Sequence, residues 1–180
     1  MTDEEIVNGC SAEKKQFQEI LYYKFNKKMF SVCLRYAKDR DQALDMLQEG
    51  FIKVFNHIKN FTFKGSLEGW IRRIMINTAI NILRKEKFTI DIDDVHYHPS
   101  FEEKNTVIDQ LSAAEIHKLI QKLPTGYRTV FNMFAVEGYS HKEIAQALEI
   151  QESTSRTQFL KAKNSLRILI ENINKSTRNV

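Results

Sequence analysis

An apolar rhythm of threes and fours runs through most of this chain, with short breaks and one acidic stretch where it is lost. In "FQEILYYKFNKKMFSVCLRYA" the apolar positions are Phe17, Ile20, Leu21, Phe25, Met29, Val32, Cys33 and Tyr36. After a break at Asp39 to Asp41 the rhythm resumes through Ala43, Leu44, Leu47, Phe51, Val54, Phe55 and Ile58. Such spacing lines one face of a helix, whereas a strand needs a period of two. Helices also need few interruptions, and 180 residues hold only two prolines and six glycines. These features predict an all-α fold. The segment "FTFKGS", 61–66, is an interruption, and "LEGWIRRIMINTAINILRKEK" after it reads as another helix. Residues 11–87 are expected to form a first helical domain.

Residues 88–106 change character. Asp91, Asp93, Asp94, Glu102 and Glu103 stand against Lys104 alone, together with Pro99, which predicts an acidic linker. A second helical domain is expected over 107–173. Val107, Ile108, Leu111, Leu119, Ile120 and Leu123 share one helix face, Pro124 ends it, and "GYRTVFNMFAVEG" makes another helix closing near Gly138.

Several function classes fall away. Cys10 and Cys33 are isolated and predict buried free thiols in a reducing compartment. The "HYH" of 96–98 lacks carboxylate or thiol support, so no metal is expected. There is no Ser-His-Asp arrangement and no glycine-rich phosphate loop, which speaks against an enzyme and against a cofactor. The acidic start has no apolar signal-peptide core, and no apolar run nears the ~18 residues of a membrane span. A cytoplasmic protein without membrane insertion is expected. A net charge of +4 suits a polyanionic partner without requiring one.

Two constellations suggest that partner. The first is "YSHKEIAQALEIQESTSRTQFLKAKNSLRILIENI", which has helix-turn-helix layout. Ser140 is a good N-cap with Glu143 as capping-box partner, and Ile144, Ala145 and Leu148 give a short helix its apolar face. A turn is expected at Glu149 to Glu152, with Ser153 or Thr154 capping the next helix. At about 100° per residue, Phe159, Ala162, Leu166, Leu169 and Ile170 point inward. Thr157, Leu160, Lys161 and Asn164 lie opposite, bordered by Arg156 and Lys163. The second constellation follows the "FTFKGS" loop. Trp70, Arg73, Asn77, Asn81 and Arg84 fall in a sector about 80° wide on an otherwise largely apolar helix. Arginine and asparagine beside an aromatic describe a nucleic-acid face.

Both regions together resemble the bacterial RNA polymerase sigma factors, specifically the extracytoplasmic-function type of the sigma-70 family. "DQALDMLQEGFIKVF" resembles its region 2.2, "FTFKGSLEGWIRRIMINTAINILRKEK" its regions 2.3 and 2.4, and "LPTGYRTVFNMFAVEGYSHKEIAQALEI" its region 4. The resemblance implies a region 2 helical bundle and a region 4 helix-turn-helix joined by the linker. It implies binding to core RNA polymerase through Asp45, Gln48, Glu49 and Phe51. It implies capture of the promoter −10 element by Phe61, Phe63, Lys64, Ser66, Trp70, Arg73, Asn77, Asn81 and Arg84. Arg156, Thr157, Gln158, Leu160 and Lys161 would read the −35 element. The linker would thread toward the RNA exit path, and an anti-sigma factor is an implied partner.

The chain also departs from the family. Glu149 stands where glycine is common in the turn, and a left-handed residue there costs roughly 1 kcal/mol. Ser155 stands where a β-branched apolar residue is usual. Gln158 and Leu160 replace residues that are often basic or aromatic. A free-standing helix-turn-helix regulator with a sensing or dimerising N-terminal domain is the alternative.

Overall fold

The N-terminal half closes around three long helices. Helix α2, Lys15–Tyr36, packs against both α3, Arg40–His57, and α4, Leu67–Lys85, and α3 packs on α4. The structure is a computed structural model that describes residues 1–86 and 112–178, and every regular element in them is helical. It divides into two units, Met1–Glu86 and Lys87–Val180. The expected linker, and Val107, Ile108 and Leu111 of the expected second domain, lie outside the described residues.

The apolar rhythm becomes the core of the first unit. Leu21, Phe25, Met29, Val32, Cys33 and Tyr36 of α2 are buried, and Ala43, Leu47, Phe51 and Val54 of α3 meet them. Leu44, on the same rhythm, is exposed. The break at Asp39 is a helix start, because Asp39 Oδ1 accepts the Gln42 amide at 2.8 Å. Ser66 starts α4 likewise by accepting the Gly69 amide at 3.1 Å. Close approach between α3 and α4 depends on Gly50. A Cβ there would sit 2.2 Å from Sδ of Met75, which is fully buried.

A further helix precedes the expected domain start. Helix α1, Asp3–Ser11, opens on a capping box between Thr2 and Glu5 and buries Ile6, Val7 and Cys10 against α2 and the 3-10 turn Ile58–Asn60. At the other end, Gln42 donates to the Glu86 carboxylate at 2.9 and 3.0 Å and accepts the Lys38 amide at 2.7 Å. That clip fixes the end of α4 to the corner between α2 and α3. Cys10 and Cys33 are free and buried, and burial pushes the Cys33 thiol up to about 12.

The second unit is built on its last helix. Helices α5, Ala113–Gln121, α6, Thr125–Phe131, and α7, His141–Leu148, all contact α8, Glu152–Arg178. Between α6 and α7 come a π-helical turn, Asn132–Val136, and Gly138 at φ +77°. Arg128 is 4% exposed, and its guanidinium donates to the carbonyls of Gln121 and Leu123 at 3.1 and 3.4 Å. It thereby caps the C-terminal end of α5, whose last carbonyls have no partner within the helix. Among the described residues no helix is long and apolar enough to cross a membrane.

Candidate nucleic-acid interface

In the first unit, α4 turns one polar stripe outward. Arg73 and Asn77 are exposed, Trp70, Asn81 and Arg84 are half-buried, and Leu67, Ile71, Met75, Thr78, Ala79 and Leu83 are buried. The stripe starts at an aromatic cluster. Phe61 is 8% exposed, whereas Phe63 is 49% exposed and held at φ +59°, a conformation that costs a bulky residue. The Phe61 ring lies 4.9 Å from Phe63 and 5.5 Å from Trp70. Phe61 is therefore the foot of the cluster, and Phe63 and Trp70 offer the ring surface. Lys64 and Ser66 are exposed beside them, but the Ser66 oxygen is committed to its helix cap.

The face of α3 sorts differently from expectation. Asp45 and Gln48 are exposed, and Glu49 is half-buried with its carboxylate 2.7 Å from Lys53. Phe51 does not join them. It is 3% exposed, with its ring 4.8 Å from Tyr22 and 6.0 Å from Phe55. Its spacing from Leu47 and Val54 puts it on the core side, so the periodicity was the better guide to it than the resemblance. Two residues on the surface were missed. Leu44 and Ile52, 37% and 60% exposed, flank Gln48 at intervals of four and make a partly apolar ridge beside Asp45 and Glu49. The signal was available, since the α3 rhythm already had more apolar residues than one face needs.

In the second unit, α7 and α8 form the helix-turn-helix. Ser140 and Glu143 make the capping box, and Ile144, Ala145 and Leu148 are buried. Glu149 takes the left-handed conformation, φ 55° and ψ 43°, where glycine would be unstrained. Helix α8 begins at Glu152, and Gln151 rather than Ser153 or Thr154 precedes it, its carbonyl accepting the Ser155 amide at 3.1 Å.

Arg156, Thr157 and Leu160 are exposed, with Leu160 at 54%. Arg156 pairs with Glu152, and the Thr157 hydroxyl donates to the Ser153 carbonyl at 3.0 Å. Lys161 is half-buried, its ammonium 5.9 Å from the Tyr127 ring centroid. Gln158 is a correction: it is 4% exposed and turned inward, and its Oε1 has no hydrogen-bond partner among the described residues. Because α8 packs on α5 and α6 as well as α7, its buried sector is wider than a two-helix contact leaves.

A stripe suited to unstacked bases thus precedes, in one chain, a helix suited to a major groove. Comparison with known proteins decides what that order means. The model of Sigma-70 region 2 matches residues 21–89, and that of Sigma-70 region 4 matches residues 113–166. The chain belongs to the sigma-70 family.

Its relatives include the RNA polymerase sigma-H factor of Pseudomonas aeruginosa, 26% identical over 91% of each chain. The RNA polymerase sigma factor SigZ of Bacillus subtilis is 28% identical over 85% of this chain and 86% of its own. The ECF RNA polymerase sigma-E factor of Haemophilus influenzae is 23% identical over 92% and 94%. This sigma factor is thus of the extracytoplasmic-function type. A solved structure of the sigma factor RpoE from Bartonella quintana, in complex with the anti-sigma factor NepR, shares the fold. It matches with a TM-score of 0.50 and 18% identity over 85% of this chain and 96% of that one.

Proposed function

We propose that this chain is a promoter-specificity subunit that binds core RNA polymerase, recognises −10 and −35 promoter elements and helps melt the DNA to initiate transcription. The observation that carries the reading is the α4 stripe with its exposed Phe63 and half-buried Trp70. Single-stranded DNA is held by basic grooves and by rings on which bases stack, which is the combination this surface offers. Residues 1–86 would carry core and −10 binding. Asp45, Gln48 and Glu49 with the Leu44–Ile52 ridge would face polymerase, while Phe63, Lys64, Trp70, Arg73, Asn77, Asn81 and Arg84 would face DNA. Phe61 supports the ring cluster from below, and Ser66 sets the helix start. Residues 112–178 would carry −35 reading through Arg156, Thr157, Leu160 and Lys161.

The test is reconstitution with core polymerase and a promoter library. Specific start sites are expected, and their absence would remove the reading. Trp70→Ala and the exposed Asn77→Ala should each reduce open complex while sparing core binding. For Trp70→Ala the loss is about tenfold, as one lost base stack implies. Glu49→Lys should do the reverse. The chain would work in the cytoplasm, and an anti-sigma factor is its proposed regulator, the same kind of partner that the Bartonella protein binds.

A further inference from the structure

The joint between α7 and α8 is polar at its centre. Ser155 alone among residues 152–157 is buried, at 0% exposure. A buried hydroxyl in an apolar seam is costly unless it is hydrogen-bonded. Its oxygen lies 2.9 Å from His141 Nδ1, the two sharing one hydrogen bond. The imidazole is fixed in turn by two rings. It stacks on Phe134 at 4.3 Å and 14° and meets Phe159 edge-on at 5.8 Å and 62°. Phe134 and Phe159 close the cluster at 4.5 Å. Three elements therefore converge on one ring: the π-helical turn, the first residue of α7, and α8.

The hydrophobic attraction between two helices is itself non-directional. A hydrogen bond has a preferred direction and resists rotation as well. Arg156 and Thr157 follow Ser155 directly, at about 100° per residue, so the angle held at Ser155 is the angle at which they are presented. The β-branched apolar residue usual at this position would pack without that directionality. Burial and Arg156 both hold the His141 imidazole below its ordinary protonation range, with Glu152 opposing. On its own helix the charged neighbours are Lys142 and Glu143, the latter committed to Ser140. The ring thus keeps one donor and one acceptor nitrogen at neutral pH.

We propose that His141 is a positioning residue for −35 recognition, fixing through Ser155 the rotation at which α8 offers Arg156, Thr157 and Leu160 to the base edges. The proposal rests on the sigma-factor reading given above. It goes beyond that reading by assigning sequence discrimination to a residue that need not touch DNA.

The experiment uses holoenzyme assembled from the full chain and core polymerase, with promoter duplexes that differ by single bases in the −35 element competing for it. His141→Phe keeps the stacked ring and removes the nitrogen. Discrimination between the preferred and altered duplexes should fall about tenfold, the scale of one lost base-pair preference. His141→Asn, which restores a polar atom near the Nδ1 position, should recover most of it. Ser155→Ala should lower discrimination too, and the double variant His141→Phe/Ser155→Ala should be no worse than His141→Phe alone. If His141→Phe does not fold, Ser155→Ala and His141→Asn carry the comparison. Unchanged discrimination, equal loss of affinity for every duplex, or additive losses in the double variant would each overturn the proposal. A wild-type holoenzyme with no −35 preference would instead count against the sigma-factor reading itself.

Discussion

The two units are held together by different physics. Among the described residues, the first buries 24 apolar side chains and two polar ones, Gln42 and Thr78. The second buries nine apolar side chains and five polar ones, Arg128, Thr129, Asn132, Ser155 and Gln158. Apolar burial is non-directional and tolerant of small shifts, whereas buried polar groups bring directional bonds and a penalty when a partner is lost. The surface proposed to capture bases stands on the thick core, and the helix proposed to read the groove on the thin, polar one. The contrast predicts that the first unit is vulnerable to lost volume and the second to lost hydrogen bonds.

The largest effect should come from the core of the first unit. Ile71 is fully buried where α4 meets its neighbours, so Ile71→Ala should cost about 3 kcal/mol in urea unfolding, the middle of the range for such truncations. A loss below ~1 kcal/mol would show that the unit repacks freely and would break the contrast. Next comes Arg128→Met, which keeps much of the apolar stem and leaves the Gln121 and Leu123 carbonyls without their charged donor. It should destabilise the second unit by about 2 kcal/mol. Fluorine-labelled phenylalanines followed through the same unfolding would separate the two transitions, and a neutral result would mean that the buried polar groups are incidental. The smallest effect has the opposite sign. Glu149→Gly should stabilise the second unit by about 0.5 kcal/mol, because glycine accepts a left-handed φ but loses more freedom on folding. Destabilisation would mean that the Glu149 side chain contributes more than its backbone costs.

Much of this was legible in the sequence. The long helices declared themselves through periodicity and through Asp39, Ser66 and Ser140 as caps, and the left-handed turn at Glu149 follows from its place between two helices. Helix α1 was hidden because nine residues with Ile6, Val7 and Cys10 as the apolar set hold too little period to read. The α4 stripe came out as the wheel arranged it, with Arg73 and Asn77 exposed and Trp70, Asn81 and Arg84 half-buried. Phe51 and Gln158 did not. Motif resemblance marks a neighbourhood but does not say which side chain of a helix turns outward, and α8 packs on α5 and α6 as well as on α7, which the helix-turn-helix motif alone does not include. The His141–Ser155 bond was equally invisible, because it joins residues 14 apart through a turn whose geometry sets the distance.

Trp70 is the single tryptophan of the chain, and it sits half-buried against Phe61 on the face proposed to meet the melted strand. The molecule therefore carries its own optical gauge. Selective ultraviolet excitation addresses one ring, in one unit, at one surface, and the other unit stays dark. Stacking of a base on that ring would quench its emission, so strand capture could be timed without a label and apart from any event at the recognition helix.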